Sequence, residues 1–293
     1  MCCISISTRA SGTIMVVRPA APKPRRRRPA QFYVGAAIVG VVLLVAIFAP
    51  WLTPHGYADQ DLIRSLQPPA WRSGDWSYPL GADRLGRDLL SRLMFGARVS
   101  MAVALLSVLL GGGLGTALGL AAGYFGRWTD RVIGRLIDIQ LSFPPVFIAI
   151  AIIAALGQSL PKLIVVLAFV TWVQYARIAR ANTLSVRERE FVQAARALGA
   201  AEGRVLLRHV LPSILPPLLV VGAVNMSNVI LAEAALSYLG LGVQPPTPAW
   251  GSMVSEGRAV QSIAWWNTVF PGMAIALLVI GANLLSDGLQ RER

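Results

Sequence analysis

The sequence predicts an all-α integral membrane protein with about six transmembrane helices. Of its 293 residues, 55% are hydrophobic and only 14% are charged, and the mean hydropathy is +0.59. One or two soluble cores cannot bury that much apolar side chain. Charge-free stretches long enough to cross a bilayer alternate with arginine-bearing segments along the chain. The only cysteines, Cys2 and Cys3, are adjacent and cannot staple such a fold.

The alternation of apolar and polar segments divides the chain into a tail, a first helix, a loop and a core. Residues 1–30 are predicted to be a disordered basic cytoplasmic tail, in which Arg25–Arg28 would lie against anionic lipid. The first transmembrane helix is predicted over 31–51, an extracytoplasmic loop over 52–98 and a C-terminal tail over 290–293. The core, 99–289, would hold five further spans, at Val99–Gly126, Ile139–Leu160, Leu163–Tyr175, Leu215–Leu231 and Phe270–Leu285.

The second predicted span carries glycine at every fourth position. Gly111, Gly115, Gly119 and Gly123 would form one smooth stripe along the helix. In lipid, such a stripe lets a neighbouring helix approach closely, because burying more apolar surface gives no advantage there. This helix is therefore expected at the centre of the bundle. The fourth predicted span, Leu163–Tyr175, is short, since only 14 residues separate Lys162 from Arg177. Both charged side chains would have to snorkel, that is, extend along the helix until their charged groups reach water.

The loop before the second span contains a compact charged motif, residues 80–93. Glycines suggest two turns, and the charged side chains between them can pair with one another or with a partner chain. A locally hydrogen-bonded loop and a binding role are both open. The residues concerned are Gly81, Asp83, Gly86, Arg87 and Asp88.

Polar side chains interrupt the fifth span. Asn225, Asn228 and Glu233 would either line a translocation path or bond to a neighbouring helix. The Gly-, Pro- and Trp-rich stretch after it, 237–267, is expected at the outer surface. There, Trp250, Trp265 and Trp266 suit an interfacial belt; they are the tryptophans between the last two spans.

Residues 185–212 are the longest charge-rich segment within the apolar part of the chain. Ser185 and Glu188 have the spacing of a capping box, which predicts a helix beginning just after Ser185. Gly199 stands where a left-handed C-cap is needed, and a second short helix is predicted over Ala201–Val210 before Pro212 breaks it. The first of these helices would carry a narrow apolar face made of Phe191, Ala194, Ala195 and Leu198.

The distribution of basic residues predicts the topology. The net charge is +13, and 19 of the 27 lysines and arginines fall on the termini and on the second and fourth loops. By the positive-inside rule, both termini and the 185–212 segment are cytoplasmic. The first loop holds six of the remaining eight, but it is long and also acidic.

The usual catalytic motifs are missing from the sequence. It contains no phosphate-cradling G-x-x-x-x-G-K-[ST] pattern, no H-E-x-x-H and no G-x-S-x-G, and its only histidines are His55 and His209. No metal site is expected. A conduit driven by energy from elsewhere is the favoured function. Two alternatives come from other classes of protein. One is a membrane-embedded enzyme that uses Glu233 or Asp138, and the other is a nucleic-acid binder that uses Arg25–Arg28.

The 185–212 segment resembles the EAA motif, the cytoplasmic loop of permease subunits in bacterial ATP-binding-cassette importers. Gln193-Ala194-Ala195, Gly199 and Leu211-Pro212 stand at the spacing of that motif, although Gln193 replaces the usual glutamate. Four further stretches, 80–93, 122–126, 233–251 and 283–289, resemble the second permease of dipeptide and oligopeptide importers.

That resemblance implies the type I importer permease fold in the bacterial plasma membrane. It implies a heterodimer with a second permease, two cytoplasmic ATPase subunits that use ATP and Mg, and an extracytoplasmic substrate-binding protein. This chain would bind no cofactor and no nucleic acid. Di- or oligopeptides are the implied cargo; nickel, glutathione or another small solute is the alternative. The implied ATPase-coupling residues are Glu190, Phe191, Gln193, Ala194, Ala195, Leu198, Gly199, Leu211 and Pro212.

Overall fold

A computed structural model describes residues 30–290, and helices dominate this part of the chain. The predicted tail 1–30, with Arg25–Arg28, Cys2 and Cys3, lies outside the described residues except for Ala30, as do 291–293. The helices are α1 (Ala30–Leu52), α2 (Ala70–Ser73), α3 (Leu89–Phe125), α4 (Arg127–Leu141), α5 (Pro145–Leu156), α6 (Leu160–Arg187), α7 (Glu190–Ala197), α8 (Glu202–Val205), α9 (Leu211–Tyr238), α10 (Trp250–Arg258) and α11 (Trp266–Gln290).

The predicted count of about six spans is confirmed, but one span is bent. Five helices are long and apolar enough to cross a membrane, and α4 and α5, whose axes differ by 88°, together make the sixth span. The bounds predicted for the third span, Ile139–Leu160, are therefore wrong, because the bent pair covers Arg127–Leu141 and Pro145–Leu156. Pro144 and Pro145 cause the break, because a residue before proline disfavours helical backbone, and α5 restarts with Pro145 in its first turn.

Two predicted spans have wrong boundaries because their helices continue past charged residues. The span predicted over Leu163–Tyr175 is part of α6, whose 28 residues reach Arg187. The helix predicted from Val99 begins ten residues earlier, where the Asp88 carboxylate accepts from the Ser91 amide at 2.8 Å and caps α3. Both helices exceed the roughly 30 Å hydrocarbon core, so their charged ends can lie outside it.

The glycine stripe of α3 packs directly on α6, as predicted. Gly111, Gly115, Gly119 and Gly123 are all buried. A Cβ added at any of them would overlap the α6 backbone or an α6 side chain; at Gly123 it would lie 2.7 Å from the Thr183 Cβ. This pair of helices forms the centre of the bundle, since van der Waals packing of small residues is the main attraction between helices in lipid.

The first and last spans pack on each other in the same way, through glycines that let the two helices approach closely. A Cβ on Gly35 of α1 would lie 2.5 Å from the Leu285 amide nitrogen of α11. A Cβ on Gly281 of α11 would lie 2.6 Å from the Ile38 side chain. The N-terminal span is therefore held against the core rather than standing apart from it.

The helix predicted to break at Pro212 continues instead. Glu202–Tyr238 is one apolar helical run that includes a π-helical segment, Leu206–Val210. Proline is tolerated within such a helix where the freed carbonyl groups find other donors. Just before Pro212 the hydrogen bonding is π-helical, since the Leu211 amide donates to the Leu206 carbonyl, and just after it the Ser213 hydroxyl donates to the His209 carbonyl at 2.7 Å.

The predicted tryptophan belt is wrong for two of its three members. Trp250 and Trp266 are buried, and their indole N–H groups donate to the carbonyls of Leu93 at 2.9 Å and Ala82 at 3.3 Å. Only Trp265 is exposed. The buried pair instead fixes α10 and α11 against the start of α3 and the loop before it.

The close packing of α3 on α6 predicts opposite effects for two neighbouring glycine-to-alanine changes. Gly115→Ala introduces a methyl group 2.8 Å from the Tyr175 Cβ, and overpacking costs about 1–3 kcal/mol. Gly113→Ala is the control, because a Cβ there meets nothing within 4 Å, and alanine stabilises a helix interior by about 0.5–1 kcal/mol. Thermal unfolding in detergent should show the midpoint falling for the first variant and rising for the second. Equal midpoints would contradict this packing.

Candidate functional site

The 185–212 segment is a helix–turn–helix, but its first helix begins later than predicted. Ser185 lies inside the last turn of α6, and α7 begins at Glu190 without a side-chain cap. The predicted capping box is therefore wrong, and the Glu188 carboxylate instead accepts from Arg187 at 3.0 Å. Packing overrides the capping signal here, because burial of Val186 in the bundle holds α6 in helix past Ser185.

Gly199 ends α7 in the predicted left-handed conformation. Its φ is +77°, its amide donates to the Arg196 carbonyl at 2.9 Å, and the Ala200 amide donates to the Ala195 carbonyl at 3.1 Å. This pair of bonds is a Schellman motif, which favours glycine at the left-handed position. The turn therefore fixes the direction in which the chain enters α8.

The predicted apolar face of α7 is mostly an exposed surface. Phe191 is 43% exposed and Leu198 is 88% exposed, and Ala194 lies between them on the same side. The buried anchor is Val192, which sequence reasoning missed although it stands three residues before the partly buried Ala195. Glu190 and Gln193 are exposed beside this surface, Leu211 is partly buried and Pro212 is exposed.

A polar cluster ties the helix–turn–helix to the end of α3. The Tyr124 hydroxyl donates to the Glu202 carboxylate, and the Arg196 guanidinium lies over the Tyr124 ring, 4.6 Å from its centroid. Arg187 donates to the Gly123 carbonyl at 2.9 Å. Buried Val192, Val205 and Val210 pack beneath these contacts. The segment is thus attached to α3 and α6 while Phe191 and Leu198 face outward.

The charged motif of the first loop forms a buried ion-pair network at the opposite end of α3. Arg87 pairs with Asp83 at 2.6 Å, and Arg92 pairs with the same carboxylate. Both arginines also contact Glu256 of α10, at 3.1 and 2.9 Å. The sequence suggested pairing within the motif, but it gave no local signal for Glu256, which lies 169 positions from Arg87. Asp88 is engaged as the cap of α3.

The two motif glycines make turns that bring the loop against its neighbours. Gly81 and Gly86 have φ of +85° and +70°, as the predicted turns require. A Cβ on Gly86 would overlap the backbone of Asp61, so glycine is needed for space as well as conformation. The motif is therefore a locally hydrogen-bonded loop, which is one of the two interpretations that the sequence left open.

Asp75 is a further carboxylate of the first loop, and its surroundings hold it ionised. Asp75 accepts from the Ser77 amide at 2.9 Å and from the Gln67 amide group at 3.1 Å, and Arg64 lies 2.8 Å away. The Ser77 backbone bond, then the side-chain bonds, lower the pKa of Asp75 to about 2. Because folding lowers the pKa of Asp75, the ionised carboxylate stabilises the folded loop at pH values above the ordinary aspartate pKa. This stabilisation is lost as the pH falls towards about 2.

The structure does not bring the three polar residues of α9 together. Asn225 is buried beside Tyr175 of α6. Glu233 is buried and accepts from Ser237 at 2.7 Å and from Ser100 of α3 at 3.2 Å. Asn228 alone is exposed, on the outer face of the helix. Glu233 therefore bonds within the bundle, Asn225 is buried inside it, and only Asn228 faces away from this chain.

Comparison with known proteins assigns the family. Residues 115–291 match the family described as "Binding-protein-dependent transport system inner membrane component", which is more than half of the chain. The chain belongs to this family of transport permeases. Residues 27–69 additionally match the N-terminal transmembrane domain of oligopeptide transport permease C.

Individual relatives cover most of this permease. It is 42% identical over 88% of its length to a dipeptide transport system permease protein, DppC, of Alkalihalophilus pseudofirmus, covering 83% of that protein. The corresponding DppC of Escherichia coli K12 is 43% identical, with 88% and 86% covered. A glutathione transport system permease protein, GsiD, of Escherichia coli is 40% identical, with 91% and 86% covered.

A solved structure shares the fold at low identity. An inward-facing form of the MetNI methionine ABC transporter aligns with a TM-score of 0.53 and 20% identity, over 68% of this chain and 94% of the other. The predicted type I importer permease fold is thus confirmed. Within residues 30–290, no group of three or more His, Cys, Asp or Glu side chains is placed to hold a metal ion.

The ion-pair network predicts a large loss of stability when one arginine is removed. Arg92→Met deletes a side chain that contacts both Asp83 and Glu256, and breaking a buried pair costs about 3–5 kcal/mol. Arg72→Met is the matched control, since Arg72 is exposed and surface changes stay within about 0.5 kcal/mol. Denaturation in detergent measures both. Equal stabilities of the two variants would show that the network is not a structural joint.

Proposed function

We propose that this chain is one of two unlike permeases that together form the translocation path of an ATP-driven importer. Two cytoplasmic ATPase subunits would supply the energy using ATP and Mg, and an extracytoplasmic binding protein would deliver the solute. The observation that carries the proposal is the outward-facing surface of Phe191, Ala194 and Leu198 on a helix–turn–helix that is itself fixed to α3 and α6. Apolar side chains on a short exposed helix suit docking in a groove of a partner.

The coupling proposed here is mechanical. Movement of an ATPase groove would pull α7, and the Tyr124–Glu202 and Arg187–Gly123 contacts would pass that movement to α3. Gln193 lies at the position where the EAA motif usually has glutamate, so apolar contact and turn geometry carry the interaction in preference to that charge.

Short peptides are the cargo class that we propose. The relatives named as dipeptide permeases, at 42% and 43% identity, support it. Glutathione, itself a tripeptide, is the second candidate because the relative named as a glutathione permease is 40% identical. Asn228, exposed on α9, would face the path shared with the second permease. Asn225 and Glu233 would shape that path from behind.

We further propose that both termini and the helix–turn–helix are cytoplasmic. The support is the excess of lysine and arginine on those segments, 19 of 27. The Asp83–Arg87–Arg92–Glu256 network would then lie on the outer side, where the binding protein docks.

Distorting the turn should uncouple transport without dismantling the complex. Gly199→Val forces a β-branched residue into a left-handed conformation at a cost of about 1–2 kcal/mol, although a Cβ there meets nothing within 4 Å. Peptide uptake and peptide-stimulated ATP hydrolysis by the reconstituted importer should both fall to a small fraction of wild type.

The control for Gly199→Val is the same substitution at a glycine that also has a left-handed backbone but lies at the other end of the bundle. Gly74 has φ of +75° and equally open surroundings, so Gly74→Val should leave uptake near wild type. Unchanged uptake by an assembled Gly199→Val complex would overturn the coupling assignment.

The purified chain should hydrolyse no ATP by itself. Its sequence lacks the phosphate-cradling pattern that such an activity needs. Phosphate release by the chain in detergent, compared with the same chain plus its ATPase subunits, measures this. Turnover by the isolated chain that follows its concentration would contradict a pure conduit and favour an enzyme.

A further inference from the structure

Helix α4 carries two exposed stripes of side chains that have no part in the coupling proposed for α3, α6 and α7. Its buried face, with Ile133 and Ile137, packs in a cluster with Trp172 and Val173 of α6. Residues recurring at four- and three-residue spacing share one side of a helix. Two such sets occur on the outward side of α4, one basic and one apolar.

The basic stripe borders a groove between α4 and α6. Arg127, Arg131 and Arg135 follow one another at four-residue spacing and are exposed. The groove has a volume of 1220 Å³. All charged groups lining it are Arg127, Asp130, Arg131, Arg135 and Asp138 of α4 with Arg177 and Arg180 of α6.

The groove has an excess of positive charge that its own carboxylates do not neutralise. Asp130 is already held by Arg180, with one oxygen 2.9 Å from a guanidinium nitrogen. Asp138 is the one other carboxylate among the lining residues, against four further arginines. Within the described range, 30–290, none of those four makes an ion pair. The groove is thus complementary to an anion.

The apolar stripe lies next to the basic one and faces outward. Trp128 is 71% exposed, and Val132, Leu136 and Ile139 continue the same side of the helix at 36%, 49% and 55%. An α4 of 15 residues is about 22 Å long, too short to cross a bilayer alone. Asp130 in the first turn of α4 pairs with Arg180, and Gln140 in its last turn donates to the Phe169 carbonyl at 3.0 Å. Helix α4 therefore begins at the level of Arg180 and runs towards the middle of α6 as the first half of the bent span.

The position of the groove along α6 matches the level of lipid headgroups. Lys162 marks one end of α6, where its ammonium group reaches the Leu156 carbonyl. Arg177 and Arg180 come 17 and 20 residues after Leu160, which is about 26 and 30 Å along a helix. The hydrocarbon core is about 30 Å thick. The two arginines therefore lie near the other boundary, at the end of the bundle that carries α7.

We infer that the groove between α4 and α6 binds the headgroup of an anionic phospholipid, with the acyl chains lying on the Trp128–Ile139 stripe. Arginine suits this ligand because its guanidinium can donate two parallel hydrogen bonds to a phosphate. A soluble anion would satisfy the arginines but would leave the adjoining apolar stripe uncovered. Only a ligand that is both anionic and aliphatic matches the two stripes together. The inference does not depend on the transported solute.

The test compares two fluorescent lipids with the same acyl chains, phosphatidylglycerol and phosphatidylcholine, binding to the full chain in neutral detergent. Fluorescence anisotropy should show tighter binding of phosphatidylglycerol. The Arg131→Gln/Arg135→Gln variant should bind it about 30-fold more weakly and bind phosphatidylcholine as wild type does. Added sodium chloride should weaken phosphatidylglycerol binding more for wild type than for the groove variant, because salt screens exposed charges.

The matched control removes two arginines from the other end of the molecule. Arg72 and Arg98 are exposed and lie outside the groove, so Arg72→Gln/Arg98→Gln should keep the preference. If the groove variant fails to fold by circular dichroism, Arg177→Gln on α6 replaces it. Equal binding of the two lipids, or a preference that persists in the groove variant, overturns the inference and leaves the groove to an acidic protein partner or an anionic solute.

Discussion

Close packing of α3 on α6 is the constraint on which the rest of the molecule depends. Four glycines in register remove every side chain from one stripe of α3, so the α6 backbone lies directly against it. In lipid this gain comes from van der Waals contact rather than from exclusion of water. The contact runs from Gly111 to Gly123 and joins this part of α3 to α6 as one packed unit. Each end of the pair then carries a different polar joint.

At one end, the helix–turn–helix is joined to the pair through both polar and apolar contacts. Tyr124 at the end of α3 meets Glu202 and Arg196, while Val192 anchors α7 from below. At the other end, Arg92 of α3 meets Glu256 of α10 through a network shared with Asp83. The chain thus has a closely packed centre with an exposed apolar surface at one end and a charged joint at the other.

Local sequence patterns predicted those features that depend on local chemistry. The glycine stripe, the Gly199 cap and the turns at Gly81 and Gly86 follow from backbone geometry, which a few neighbouring residues decide. Features that depend on tertiary packing could not be predicted from local sequence patterns. Ser185 is a good capping residue, yet it remains inside α6 because Val186 is buried. Trp250 and Trp266 have the composition of an interfacial belt but are buried where their indole groups find carbonyls far along the chain.

The functional residues divide in the same way. Phe191, Ala194 and Leu198 could be assigned to one side of a helix from their spacing, whereas the pairing of Glu256 with Arg87 and Arg92 joins positions too distant for any local signal. The continuation of α9 through Pro212 is a further case, since a proline rule does not anticipate the π-helical segment, Leu206–Val210, that leads into it.

The central claim is that the helix–turn–helix and α3 move as one body when the ATPase subunits act. Distance measurement between spin labels tests it most directly. One label replaces Ala197 of α7 and the other replaces Leu114, both exposed, in a chain whose Cys2 and Cys3 are changed to serine. In the assembled importer, this distance should stay constant between nucleotide-free and ATP-bound states, while the distance from Ala197 to the second permease changes. A changed Ala197–Leu114 distance would contradict the claim.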